Sequence, residues 1–259
     1  MLAAFDDQMR RNPAPEPGTL VEREQQVTRI VADGDGWNGV LWTGLTAADA
    51  DPVIDAQAAR FAELGKPWEW KYYSYDQPAG LPGRLEAAGF VADPAETLLV
   101  AEIADLNLDV SPPAGVDLVP VTDARGAAAV VRVHDEVFGG DHTVIGSAVV
   151  AALESERRPV EAVVAVAGDT AVSAGRVEFP ERSDFAGLWG GGTLPGWRGR
   201  GVFRSLVAYR ARLARQRGYR YLQVDASPDS RPILQRIGFT ELATTTPFRL
   251  PGVPGAPTA

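Results

Sequence analysis

The sequence predicts an α/β (α+β) fold in which a mixed central sheet is flanked by helices, preceded by a truncated copy of the same arrangement. Two observations carry this reading. From Val116 onward, strand-like and helical periodicities alternate as strand, two helices, three strands, helix, strand, helix, strand. The order helix, Gly, strand, helix, Gly-Phe, strand also occurs twice, once in each half of the chain.

In the N-terminal half, Ala48–Leu64 reads as a helix closed by Gly65, and Trp68–Tyr75 as a strand. Leu81–Ala88 follows as a helix closed by Gly89-Phe90, and Thr97–Ile103 as a strand. Trp68, Trp70 and Tyr72 share one face of their strand, with Tyr73 and Tyr75 on the other. They form either core, the usual place for strand aromatics, or a wall of an acceptor cleft between the halves. The stretch around Pro112-Pro113 is the most linker-like of the chain. It divides an N-terminal domain (1–108) from a C-terminal domain (116–250) through a linker at 109–115, and a Pro/Gly-rich tail at 251–259 is expected to fray.

In the C-terminal half, Val116–Pro120 is a short strand and Asp123–Phe138 a helix, capped by Asp123 and ended by Gly139-Gly140. Ser147–Leu153 is a second helix with Ser147 as its cap. Glu161–Ala167 and Ala171–Phe179 make a hairpin about Gly168-Asp169, and Phe185–Leu194 is the next strand. Gly201–Arg217 is a helix with Val202, Leu206, Tyr209 and Leu213 along one apolar face. Tyr219–Asp225, Ser230–Ile237 and Leu242–Leu250 complete the order as strand, helix and strand.

Composition narrows the function. The 259 residues carry 25 Lys+Arg against 34 Asp+Glu, a net charge of −9, which argues against nucleic acid or anionic membrane as main partner. The absence of cysteine excludes disulfides, thiolate metal sites and a cysteine nucleophile. His134 and His142 are the only histidines, so no metal site is expected. Neither a signal peptide nor an apolar run of about 20 residues is legible, and a cytoplasmic location is expected. The charge is uneven, however: Phe185–Val224 holds no Asp or Glu but Arg198, Arg200, Arg204, Arg210, Arg212, Arg215, Arg217 and Arg220. The segment is either a solvated arginine face or a place kept for an anionic ligand.

Inside it, Thr193-Leu-Pro-Gly-Trp-Arg-Gly-Arg-Gly-Val-Phe-Arg-Ser-Leu206 runs from strand through a Gly-rich turn into a helix. A helix start presents unpaired N–H groups and a partial positive charge, and so receives phosphate readily. Gly199 and Gly201 let the backbone approach an anion, and Arg198, Arg200 and Arg204 add charge-assisted donors. A purely structural glycine turn is the alternative.

On these residues the chain resembles the GNAT N-acetyltransferase superfamily, whose signature is Gln/Arg-x-x-Gly-x-Gly/Ala after a strand ending Val-x-Pro. Arg198-Gly-Arg-Gly-Val-Phe203 fits at Arg198 and Gly201, Thr193-Leu194-Pro195 approximates the strand end, and Ile233-Leu-Gln-Arg-Ile-Gly-Phe239 approaches the family's Leu-Tyr-x-x-x-Gly-Phe. The resemblance covers Val116–Leu250 well and the region from Gln25 to Ile103 as a degenerate copy, which makes the chain look like a tandem protein with one working site. It implies an acyl-CoA donor, most simply acetyl-CoA, and direct attack by a small-molecule or peptide amine acceptor. It implies cofactor contacts from Thr193, Leu194, Arg198, Gly199, Arg200, Gly201, Val202, Phe203, Arg204, Ser227 and Ser230. An N–H near Thr193 or Leu194 would face the thioester oxyanion, between strands that splay apart.

Three positions depart from the pattern: Phe203 replaces a small residue, Ser227 an asparagine, and Leu234 the tyrosine that protonates the departing thiolate. A thiol of pKa about 8.5 leaves tolerably unaided, whereas an alkylamine of pKa about 10.4 needs a base. Glu178 is the expected base, Asp225 is another candidate, and Ser227 is a possible acid. His142 lies in a loop that borders the acceptor in the family and is either an acceptor contact or a base. His134, mid-helix among valines, is read as structural. Gly190-Gly191-Gly192 marks either a β-bulge or a close approach by a ligand or backbone. The N-terminal half lacks an Arg-Gly-x-Gly helix start, so no second cofactor site is expected. A non-catalytic acyl-CoA-binding module remains the competing reading. A general phosphate binder is weaker, since the loop lacks a P-loop lysine and the dinucleotide spacing.

Overall fold

Residues 1–24, 26–34 and 36–251 are described by a computed structural model of the chain. The tail residues 252–259 lie outside them. The chain opens with α1 (Leu2–Phe5), which runs on as a π-helical stretch over Asp6–Arg11. Then come β1 (Thr19–Glu24), β2 (Val27–Ala32) and β3 (Gly39–Thr43). The N-terminal half continues with α2 (Ala50–Leu64), β4 (Glu69–Tyr73), α3 (Leu81–Ala87), β5 (Val91–Ala92) and β6 (Glu96–Glu102). Gly65 closes α2 in the left-handed region at φ 61°, where a side chain would be strained.

After the linker stand β7 (Asp117–Pro120), α4 (Ala124–Phe138), α5 (Thr143–Glu154), β8 (Val160–Ala167) and β9 (Thr170–Glu178). They are followed by β10 (Phe185–Thr193), α6 (Val202–Gln216), β11 (Tyr221–Ala226), α7 (Arg231–Ile237) and β12 (Thr240–Arg249). Asp123 caps α4 by accepting from the Gly126 N–H at 2.8 Å. The second helix starts a turn before Ser147. Asp141 accepts from the Thr143 N–H at 2.8 Å and Asp135 from the His142 N–H at 2.9 Å, which fixes the turn early and leaves Ser147 inside α5.

The described strands join in one mixed, mostly antiparallel sheet, ordered β1-β2-β3-β4-β12-β6-β11-β10-β9-β8-β7, with β5 against β12. Only β3–β4 and β10–β11 pair in parallel. The linker divides the chain but not the sheet: β6, which precedes it, lies between β11 and β12, and β12 pairs with β4. On one face of the sheet α6 and α7 bury Leu99, Ala186, Leu188, Leu222 and Phe239. On the other, α4 and α5 cover Ala162, Val164 and Ala174, while α1 packs on Tyr73, Leu98 and Phe185.

Trp68 stacks on Phe61 at 4.4 Å, and Trp68 and Trp70 sit at 4% and 1% exposure, so these two tryptophans are core, as is Tyr73, while Tyr72 and Tyr75 are half-buried. Among the described residues no helix is long and apolar enough to cross a membrane.

Candidate active site

The site begins where two parallel strands part. β10 and β11 are in register at Phe185↔Tyr221, Ala186↔Leu222 and Gly187↔Gln223, and pair no further. The pairing of β10 with β9 shifts between Trp189 and Gly192, and Gly190 takes φ 57°. A β-bulge therefore turns β10 away from β11. Its three glycines are needed because other groups press on it. A Cβ would lie 2.5 Å from His134 Cε1 at Gly190, 2.9 Å from Phe203 Cε2 at Gly191 and 3.0 Å from Val137 Cγ1 at Gly192. The close approach is made by side chains of the protein itself.

Two cationic or titratable side chains brace the bulge. His134 Nε2–H donates to the Gly190 carbonyl at 2.7 Å, and burial lowers its pKa to about 4, which leaves it neutral at pH 7. Arg210 Nη1 donates to the carbonyls of Arg176 at 3.0 Å and Trp189 at 3.4 Å. Arg210 is 1% exposed and has no carboxylate partner among the described residues. Burial, and then the charge of Arg176, pull it down to about 9.

A continuous cavity of about 930 Å³ runs along this split. One end opens on the start of α6. Gly199 and Gly201 have φ 73° and 89°, and a Cβ built on either meets nothing within 4 Å. The first helical bond there is Ser205 N–H to Gly201 O at 3.1 Å, and no side chain caps the helix. The N–H groups at its start are thus left for a ligand, with Arg198 and Arg204 beside them and Arg236 opposite on α7. The other end of the cavity holds His134, Phe138, His142, Arg176 and Glu96. His142 Nδ1 lies 2.9 Å from Asp135 Oδ1, which orients the imidazole.

No family model matches the sequence, and no curated protein matches it. Solved structures do. A GCN5-related N-acetyltransferase from Kribbella flavida superposes with TM-score 0.70 at 20% identity, covering 91% of each chain. A functionally unknown conserved protein from Staphylococcus epidermidis gives 0.68 at 14% identity, over 94% of this chain and 96% of that one. A tandem GNAT protein from the clavulanic acid biosynthesis pathway gives 0.60 at 17%, over 91% and 83%. This is the GNAT fold, in its tandem form.

Within the GNAT fold the residues singled out from sequence separate into two groups. Thr193, Arg198, Gly199, Gly201, Val202, Phe203, Arg204, Ser227 and Ser230 line the one cavity. Leu194, Arg200 and Glu178 do not. The Leu194 N–H is spent on Val172 O at 2.9 Å, and strand alternation then turns the Thr193 N–H toward the gap left by β11. Arg198 Nε donates to Thr193 O at 3.0 Å and ties the loop to the strand end. Arg200 lies 4.9 Å over the Trp197 ring. Glu178 Oε1 accepts from Arg176 Nε at 3.0 Å, and Asp225 is held by Lys71 and accepts from Thr245 at 3.3 Å. Ser227 Oγ lies 3.2 Å from Ser230 Oγ, at the turn into α7.

Leu234 is 1% exposed in the core, so no phenol stands where the GNAT pattern has one. His134, read as structural, reaches the cavity at the bulge. Glu96, Arg176 and Arg236 were not singled out. Of the arginine-rich segment only Arg198 and Arg204 line the cavity; Arg210 is core, and Arg217 and Arg220 bind Glu161 and Glu102.

Proposed function

We propose that the chain is an acyl-CoA-dependent N-acyltransferase, with acetyl-CoA as the simplest donor and a small-molecule or peptide primary amine as acceptor. The uncapped glycine start of α6, opening on the cavity that follows the β10–β11 split, carries this reading. The N–H groups of Val202, Phe203 and Arg204 hold the pyrophosphate, with Arg198 and Arg204 adding charge-assisted bonds. Ser227, Ser230 and Ile233 form the α7 wall of the same channel. The bound donor supplies an activated thioester carbonyl, and the Thr193 N–H stands on the strand edge where that carbonyl's oxyanion would develop. The amine enters from the His142 end, attacks directly in the ternary complex, and expels the thiolate.

With Leu234 in the core, the thiolate leaves without a phenolic acid; a thiol pKa of about 8.5 makes that tolerable near neutral pH. Leu234 also supports a second reading, a module that binds acyl-CoA without turning it over.

Calorimetric titration of CoA and acetyl-CoA into wild type and Gly201→Asp tests the assignment. The aspartate puts a negative charge and a strained φ of 89° at the helix start, and binding is expected to weaken at least about a hundredfold. Wild type that binds no CoA at millimolar concentration sinks the proposal. Wild type that binds CoA but releases no thiol with any amine leaves the module reading.

A further inference from the structure

We infer that the base which frees the acceptor amine is Glu96, a residue that the N-terminal half contributes to the site of the C-terminal half. The inference rests on the acyltransferase reading and deepens it.

Four observations place Glu96 there. First, register: β6 pairs with β11 as far as Thr97↔Ala226, so Glu96 stands one residue beyond, at the end of β11 where it has left β10. Second, face: Glu96 shares its side of β6 with Leu98 and Val100, which pack with Tyr73 and Phe185. Leu99 and Ala101 point instead to the α6–α7 side. The phosphate end of the cavity and Glu96 therefore lie on opposite faces of the sheet, and the split joins them. A carbonyl passing through the split from the α6 side emerges toward Glu96. Third, access: Glu96 is half-buried and lines the cavity.

Fourth, its carboxylate is uncommitted. Among the described residues it makes no hydrogen bond and no ion pair. The other candidates are engaged: Glu178 with Arg176, Asp225 with Lys71, and His134, already protonated at Nε2, with Gly190 O. The charged groups facing Glu96 are Asp225 on β11 and Lys71 and Glu69 on β4; on β12 its partner is Thr245. Burial first, then Asp225 and Glu69, push its carboxyl up to about 7 against the opposing pull of Lys71. A base titrating there is matched to neutral pH, where only about one alkylamine in a thousand is uncharged.

The step balances simply. Glu96 carboxylate takes one proton from the ammonium. The neutral amine forms the C–N bond at the thioester carbon, and the C–S bond breaks. The second amine proton leaves with the thiolate as thiol, giving amide and CoA-SH.

The test measures thiol release from acetyl-CoA with spermidine, glucosamine and Nα-acetyl-lysine across pH 5.5–9, for wild type, Glu96→Gln, Glu96→Asp and His142→Gln, alongside CoA titration of each. Glu96→Gln is expected to lower kcat about 10²- to 10⁴-fold, with the KM for acetyl-CoA within about twofold. It should also erase the limb of kcat/KM that rises with pH through about 7. Glu96→Asp should keep that limb at reduced rate, and His142→Gln should keep it too. A limb that survives Glu96→Gln, or disappears in His142→Gln instead, overturns the role of Glu96 and leaves the acyltransferase reading standing. Wild type that binds no CoA, or binds it and acylates none of the amines, overturns both.

Discussion

The two halves of the chain pass through the same elements, α2–β4–α3–β6 and α6–β11–α7–β12, and differ in what stands at the helix start and in the strand split. α6 begins on Gly201 with no capping side chain. α2 begins at Asp49, whose carboxylate accepts from the Thr46 N–H at 2.6 Å and from Gln26 at 2.7 Å, with Asp51 in the first turn. β3 and β4 are paired in parallel only at Gly39↔Glu69 and Val40↔Trp70, much as β10 and β11 part after Gly187. Beyond that point Arg10 bridges the two strands. It donates to Leu41 O at 2.9 Å and to Asp76 at 2.8 and 2.9 Å, with its guanidinium 3.8 Å over Tyr73. Neither helix start has a side-chain cap, but one copy of the frame places carboxylates at its helix start and bridges its split with a cation of its own. The other has glycine at its helix start and a split that opens into the cavity, and that copy is the one proposed above to bind the donor.

Arg10→Ala should break this comparison hardest. Arg10 is 1% exposed, and although burial disfavours its charge, Asp76 and the neighbouring tyrosines raise its pKa above the ordinary value. Removing it strands Asp76 in the interior, a loss of about 3–5 kcal/mol in denaturant unfolding. Arg204→Ala, at the open copy, should cost no more than about 0.5 kcal/mol of stability while weakening CoA binding roughly tenfold. Equal losses of stability at the two sites would erase the distinction between a filled and an open frame.

The same contrast explains what was legible beforehand. The open copy writes itself in local sequence: strand, glycines, arginines and an amphipathic helix lie within one short segment, so the loop and the side chains with which it lines the cavity could be named. Glu96 could not, because it enters the site through β6, inserted between β11 and β12 from the far side of the linker. Register and sheet order are non-local facts. Arg210 was equally hidden, since its spacing suits a solvated helix face and only the bulge carbonyls of the sheet below account for its burial. β1, β2 and β3 went unpredicted because the duplicated pattern starts only at α2.

A smaller effect sharpens the comparison at the open site. A base held ready by burial is a carboxylate the fold would rather protonate. The folded-state pKa of Glu96 is raised from 4.5 to about 7, so the folded chain binds the extra proton between those values and loses stability as pH rises through them. Glu96→Gln should therefore melt like wild type below about pH 4.5 and be more stable above pH 7, by on the order of 2 kcal/mol. A variant that is less stable at pH 8 would mean that the Glu96 carboxylate contributes to packing rather than standing free.

The smallest effect belongs to the acidic helix start of α2. Asp49 is held below its ordinary pKa by the Gln26 and Thr46 donors, so its contribution is present above about pH 4 and disappears as pH falls through the lowered value. Asp49→Asn should lower Tm by about 2 °C or less at pH 7, with the gap closing in acid. Its value lies in a second readout. If the acidic residues at α2 merely fill a frame that no longer has a ligand, Asp49→Asn leaves the CoA stoichiometry at one site per chain. A second CoA bound by Asp49→Asn would mean that only a carboxylate separates the closed copy from the open one, and that Arg10 is no plug. The strands at that split are already bridged by Arg10, so removing a charge at the helix start leaves no channel for the arm of the ligand, and one site is the expected count.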